Sequence, residues 1–471
     1  MTEYDRRDVL KYVGVAVATG AAASETGAAR STDASAPADW PTRYGDADSS
    51  AAAPETAGPE PPVAIDWTVE RGGRFAAAGD RLFLVTDDGR VAAYDAANGD
   101  EEWITEVTVD GSAVAAVGAP AADHDAVYVT TAGDTASITA LEAADGERRW
   151  QESGIGYETN RTPVVGEDLV LVVADGSLFA FDARDGTREW RFDPEPVTVD
   201  GGERGDPLQR DPVAVGDGAV FAVSNNQLFA RELDSGAARW ADRVDDWAAD
   251  TFSGRPMAHG DAVAVVKDDA VAVYDAGNGD ERATVPTYSP AALAADRLYA
   301  VDDAASSDRE VVVGYDRASG ADEWRSAADA ATIEDVIVGD GAVFAAVADD
   351  GESGAVAFDR DGGDPLWRLE TDFEPSQLAV VDGTVYASGD RLVAIRSEDD
   401  GEPSADDGEP SADDGDPSAD DGNPSADNGE PSADDEGSDG EGAPGFTVGT
   451  GIVSGVLALA AVGRRVANGG D

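Results

Sequence analysis

The chain has 471 residues, with 97 Asp and Glu against 33 Lys and Arg, a formal charge of −64, and no cysteine. The missing thiols exclude disulfides, thiolate zinc sites, iron–sulfur clusters and cysteine nucleophiles, and the lack of a basic stripe argues against a nucleic-acid partner. The segment 397–443 holds 19 of the acids and no base, so most of the charge lies elsewhere; with lysine only at Lys11 and Lys267, such a surface suits molar salt, where like charges are screened within a few ångströms.

Residues 1–29 bring Arg6 and Arg7, then Val9, Leu10 and Lys11, then a short apolar stretch and small residues. This pattern resembles a twin-arginine export signal, departing from it at Asp5, where serine or threonine is usual, and at Val9, where phenylalanine is common. The resemblance implies handling by the twin-arginine export machinery. The apolar run 13–23 is too short to span a bilayer, which places cleavage near Ala23 to Ala29. Residues 30–62, rich in alanine, proline and aspartate, read as a disordered spacer that includes Trp40.

A repeat follows. An acid, a glycine four residues on and a tryptophan four further recur as Asp95, Gly99, Trp103; Glu142, Gly146, Trp150; Asp182, Gly186, Trp190; Glu232, Gly236, Trp240; Asp316, Gly320, Trp324; and Asp359, Gly363, Trp367. One more copy has Asp275 and Gly279 with Ala283 in the tryptophan place. A period of about forty residues marks supersecondary units that bury their apolar faces against one another. In the third copy PVVG, LVLVVA, SLFAFDA and TREWRF alternate as four short strands between glycine and aspartate turns, one blade of a propeller. The glycine suits a turn needing positive φ, the acid caps the backbone of that turn, and the tryptophan on the outermost strand covers the joint to the next blade.

These units resemble the PQQ-like propeller repeat of quinoprotein dehydrogenases and of the lipoprotein propeller of outer-membrane assembly, over 63–396. The last copy stops before a fourth strand, whereas AIDWTVE at 64–70 is a fourth strand without a blade, with Trp67 in the motif position. The two together close a ring of eight four-stranded blades in an all-β fold; seven blades, with the fifth copy distorted, is the alternative.

Residues 397–443 contain five near copies of a seven-residue unit, GEPSADD and variants, without large apolar residues, so they read as an extended acidic stalk reaching on the order of 100 Å. In 444–471, Pro444, Gly445 and Phe446 precede an uncharged stretch to Val462 and then Arg464 and Arg465, the order of a transmembrane helix with a positive cytoplasmic flank. This resembles the sorting signal recognised by archaeal archaeosortases, which implies cleavage near the tripeptide and a lipid in place of the helix. With the acidic composition, it points to a membrane-anchored surface protein of haloarchaeal type.

For function, the resemblance raises a PQQ- and calcium-dependent dehydrogenase. Such enzymes use a tryptophan floor under the quinone, a vicinal cysteine pair, calcium ligands and an aspartate base. Here the cysteines are absent, seven of nine tryptophans are committed to the repeat, and no EF-hand-like acidic loop occurs. His124 and His259 lack a nucleophile motif and read as inert. No catalytic, cofactor or metal residue is assigned, and the expected role is non-catalytic binding or scaffolding of a protein or ligand at the cell surface. Loops joining one blade's outer strand to the next blade's inner strand emerge on one face, and those carrying Trp247, Phe252, Tyr157 and Tyr288 form the candidate contact face. Arg74, Arg161 and Arg255 each lie five residues before a turn glycine, with Arg210 one position off. They are expected as a basic, anion-attracting ring at the channel mouth, the alternative being local ion pairs.

Overall fold

The computed structural model describes residues 39–398 apart from 160, 200–201, 245–250, 305–308, 328 and 350. The export signal, including Arg6 and Arg7, the stalk, the sorting motif at 444–446 and Trp247 lie outside the described residues. Among the described residues no helix is long and apolar enough to cross a membrane.

Eight antiparallel sheets surround one axis. Seven blades take their strands in chain order from inner to outer: 73–105, 116–153, 164–192, 214–243, 252–285, 290–325 and 332–371. The eighth has Gln377–Val381, Thr384–Ser388 and Leu392–Ser397 from the C-terminal side and Val63–Val69 as its outer strand, with Trp67 opposite Ala394. The eight-blade closure expected from the sequence is therefore the observed one. The apolar cores lie between neighbouring blades, as where Phe83 and Val85 of blade 1 meet Val127 and Val129 of blade 2.

The motif residues act as a lock between blades. Asp182 Oδ1 accepts the backbone N–H groups of Arg184 and Asp185, closing the turn that carries Gly186 at φ +75°. Trp150 of the preceding blade lies flat against that turn: a Cβ on Gly186 would stand 2.6 Å from Trp150 Cε3. The indole then donates to the carbonyl just after the next blade's acid. Trp103 bonds Ala143 O at 3.0 Å, Trp150 bonds Ala183 O at 2.9 Å, Trp190 bonds Leu233 O at 2.9 Å, Trp240 bonds Ala276 O at 2.9 Å and Trp324 bonds Arg360 O at 3.0 Å. Trp367 meets the split blade, whose third-to-outer turn is open, and bonds Pro59 O at 3.0 Å instead. Trp67 has a buried Nε1 without a partner, because the equivalent acceptor, Ala96 O, is taken by Tyr386 Oη and Arg396 Nη2.

The expected spacer over 30–62 is corrected by the structure from residue 39 onward. Residues 39–57 form a strap around the inside of the ring that touches all eight blades, and Trp40 is fully buried. Trp40 exchanges backbone hydrogen bonds with Ala77 of blade 1, both at 2.9 Å. Pro41 O accepts from Ala122 N of blade 2, and Ala47 packs at Gly166 of blade 3. Ala47 O, Asp48 O, Ser50 O and Ala51 O then accept from Val215 N, Ala258 N, Leu293 N and Val338 N in blades 4 to 7. Strand Ala52–Ala57 runs parallel to the inner strand of blade 7, and Ala57 O accepts from Gly383 N of blade 8. The physical reason is that inner strands turn an unpaired edge toward the axis, and buried N–H groups there need acceptors. A segment with small side chains supplies carbonyls without crowding the channel, and its composition then looks like that of a linker.

Candidate functional site at the channel mouth

Each inner strand begins on the face where the outer strands return, called here the loop face, and ends at the turns of the opposite face. The strap lies toward the turn face, where Asp39 Oδ1 accepts from Gly79 N. From there Arg43 and Tyr44 reach up the axis to meet residues at the starts of inner strands.

Arg43 Nη1 stands 2.9 Å from Asp335 Oδ2, and its Nη2 donates to Ser376 O at 3.0 Å. Arg74, from the inner strand of blade 1, donates to the same Ser376 O at 2.8 Å and to Ser376 Oγ at 2.9 Å. Arg255, from blade 5, stacks its guanidinium 3.8 Å from the centroid of the Tyr44 ring, while Arg43 lies 4.8 Å from the same centroid. Arg255 Nη2 donates to Ala291 O and its Nε to Ser49 O. Asp335 is also fixed by Leu378 N at 2.8 Å.

Burial works against the charge of all three guanidiniums. At Arg43 the adjacent Asp335 and Tyr44 overcome it and hold the pKa above its ordinary value. Burial and then repulsion from Arg43 hold Arg74 below its ordinary value. Arg255 is also held below it by burial, to which Arg43 adds and against which Tyr44 and Asp335 act. Two cavities open here on the loop face. One of about 310 Å³ is lined by Arg43, Tyr44 and Arg255 together with the carboxylates of Glu310, Glu334 and Asp335, and one of about 550 Å³ by Arg74, Phe373 and Ser376 together with those of Asp87, Glu374 and Asp390.

Of the four arginines expected as a ring, the structure brings Arg74 and Arg255 into this cluster. Arg210 instead pairs with Glu158 at 3.1 Å, both well exposed, and Arg161 is exposed with its carbonyl bonded by Ala119 N. The shared offset from a turn glycine fails for them because the loops before those inner strands run differently: Leu208 bridges to Ser224, and Thr159 to Ala174. Arg43 and Tyr44 were missed from the sequence because they sit in the supposed spacer. Tyr157 and Tyr288 are exposed on the loop face as expected, whereas Phe252 is fully buried on the inner strand of blade 5. Both histidines face the strap: His124 Nε2 lies 3.1 Å from Asp39 Oδ2, and His259 Nδ1 lies 3.7 Å from Asp48 Oδ2. Among the described residues no three or more His, Asp or Glu side chains are grouped so as to hold a metal ion.

A family profile described as outer membrane protein assembly factor BamB matches residues 15–160, 154–306 and 267–409. The outer membrane protein assembly factor BamB of Burkholderia pseudomallei is 27% identical over 287 residues, 55% of this chain and 68% of that protein. Its namesake from Yersinia pestis is 26% identical over 178 residues, 36% of this chain and 43% of its own length. Among solved structures, BamB from Moraxella catarrhalis has a TM-score of 0.52 at 17% identity, covering 72% of this chain and 98% of that one. A quinohemoprotein alcohol dehydrogenase from Pseudomonas putida reaches 0.59 at 14% identity, covering 76% and 80%, which is a likeness of fold alone. With its repeats locked as described and three successive profile matches along most of its length, this chain belongs to the outer membrane protein assembly factor BamB family of PQQ-like propellers.

Proposed function

We propose that the protein is a non-catalytic propeller held at the envelope of a halophilic archaeon, where its loop face binds a protein or ligand. The observation that carries this reading is the strap. The channel is entered by the chain's own Arg43 and Tyr44, which are tied to Asp335, Ser376 and Arg255, and the loop face remains as the functional surface. That face is built out by two hairpins, Val107–Val109 with Ser112–Val114 and Val197–Val199 with Gly202–Arg204, and it exposes Tyr157 and Tyr288, amphipathic rings of the kind favoured in protein contacts. The relatives' name, outer membrane protein assembly factor, is that of a protein that works on other proteins. Against a quinone-dependent dehydrogenase stands the commitment of the tryptophans: six indole N–H groups are tied to the neighbouring blade or its substitute at Pro59. The end segments supply the addresses, with Arg6 and Arg7 for twin-arginine export and Pro444, Gly445 and Phe446 for archaeosortase processing to a membrane or lipid anchor.

The test is intact-mass and fractionation analysis of the native protein joined to crosslinking on cells. The expected product is trimmed at both ends, lipid-bearing, envelope-bound and crosslinked through the loop face to a defined neighbour. It shows no quinone absorbance after incubation with PQQ and calcium. A soluble, untrimmed protein that oxidises alcohols with a dye acceptor would overturn the reading.

A further inference from the structure

The joints between blades are not equally locked. Six are tied by an indole to a carbonyl of the next blade or to Pro59 O, and the joint of blades 8 and 1 by Tyr386 and Arg396 on Ala96 O. Among the described residues the joint of blades 5 and 6 has no such tie. Ala283 stands in the tryptophan place, and the turn of blade 6 lies directly on the outer strand of blade 5, where a Cβ on Gly320 would come 2.2 Å from Thr284 O. On the axial side the strap crosses this joint. Asp48 O accepts from Ala258 N of blade 5 at 2.9 Å and Ser50 O from Leu293 N of blade 6 at 2.8 Å, while Arg255 donates to Ser49 O and to Ala291 O of blade 6. The crossing is strained: Ser49 and Ala51 hold φ at +52° and +55°, in the left-handed region that favours glycine.

Ionisable groups gather at the same place. His259, at the end of the inner strand of blade 5, has Nδ1 3.7 Å from Asp48 Oδ2, and that buried nitrogen has no hydrogen-bond partner. The other charged groups beside it are Asp261 of its own blade and Arg317 of blade 6, which donates to His259 O at 3.3 Å and lies 3.7 Å from Asp261 Oδ1. Further along the strap, Asp46 is acted on by Asp48 and Asp39, and Asp39 Oδ2 has His124 Nε2 at 3.1 Å.

We propose that strap residues 46–50 and His259 form a proton-sensitive clasp, closed in mild acid and loosened above neutrality, over the one joint that lacks a side-chain tie. A proton on Nδ1 gives His259 both a donor and a charge to offer Asp48, and imidazole is the side chain that changes charge near neutrality. Arg317 opposes that charge, while Asp48 and Asp261 favour it. A proton on Asp46 relieves its repulsion by Asp48 and Asp39. Burial and then these two acids push the Asp46 carboxyl up to about 6. The closed strap therefore holds this proton more tightly than a released one, and the stabilisation, full below about pH 4, is lost as pH rises through about 6. Both protons act with the same sign. Above neutrality blades 5 and 6 gain freedom, and with them the loop between Glu281–Val285 and Pro290–Leu293 that exposes Tyr288. The clasp goes beyond the protein-binding reading, since it acts whatever the loop face contacts.

Hydrogen exchange of the whole protein at pH 5 and pH 8, in constant molar potassium chloride and referred to intrinsic exchange rates, tests it. Protection of the Ala258 and Leu293 amides is expected to be about tenfold lower at pH 8, the change that the Asp46 proton alone supplies over this interval. The ladder amides of Leu169–Ala174 in blade 3 serve as the control and are expected to keep their protection. Asp46→Asn with His259→Gln is expected to abolish the difference between the two pH values. If the double variant does not fold, Asp46→Asn alone serves, with protection at pH 8 close to that of the parent at pH 5. Equal protection of the parent at both pH values, a loss shared equally by the blade 3 control, or an unchanged pH dependence in the variants overturns the clasp.

Discussion

Each tryptophan of the repeat answers to a small residue across the sheet. Trp103, Trp150, Trp190, Trp240 and Trp367 stand opposite Ala93, Ala140, Ala180, Ala230 and Ala357, and Trp324 opposite Gly314, where a Cβ would come 2.7 Å from the indole. In the one copy that lost the tryptophan, Ala283 faces Val273, so bulk has moved to the partner strand. Ala283→Trp alone should therefore overpack and cost about 1–3 kcal/mol, and adding Val273→Ala should recover most of it, giving a clear coupling in a denaturant double-mutant cycle. Trp190→Ala removes a buried indole and its bond to Leu233 O; a loss of about 3 kcal/mol in the same measurement is expected. The motif acid, glycine and tryptophan were legible in the sequence because they recur at fixed spacing. The small residue opposite was present two positions before each acid, but it carries no signal until the strands are in register.

At the scale of elements, the strap is what a reading of composition could not find. Blades announce themselves by alternating strands between turns; residues 39–57 have no such alternation, because they bind largely through backbone carbonyls, and only Trp40 hinted at burial. If these residues were a free linker, Trp40→Ala would be silent. Its burial against blade 1 instead predicts a loss of about 3–5 kcal/mol, seen as a lower unfolding midpoint. The strap also carries a titration. The Asp46 carboxyl is pushed up to about 6, by desolvation against the ring and then by repulsion from Asp48 and Asp39. The folded state then binds this proton more tightly than the unfolded chain does, so the contribution of Asp46 to stability falls as pH rises through the window from about 4 to about 6. Asp46→Asn should gain stability over the parent at neutral pH, with the difference vanishing below pH 4 in paired urea titrations. Half of the arginine site was likewise legible, Arg74 and Arg255 from their offset before a turn glycine. Arg43 and Tyr44 became visible only once the strap was seen to enter the channel.

For the whole molecule, charge sets the conditions under which the ring holds. The described ring is strongly acidic, and many of its ion pairs are exposed, such as Arg184 with Asp168, so they offset little of the repulsion. The unfolding temperature should climb steadily from about 0.1 M to molar potassium chloride as the screening length falls from about 10 to about 3 Å; a flat profile in scanning calorimetry would contradict this account.

The closing blade has a mechanical side. The chain leaves the ring after Leu392–Ser397, which is not an edge strand: it is hydrogen-bonded to Thr384–Ser388 on one side and to Val63–Val69 on the other. A pull on the chain beyond Glu398 acts along that strand and loads both ladders in shear, many bonds at once, where a pull across an edge strand would unzip them singly. The outer of those two ladders belongs to the segment that follows the strap, so tension entering at the last strand is passed to the N-terminal part of the chain and from there around the inside of every blade.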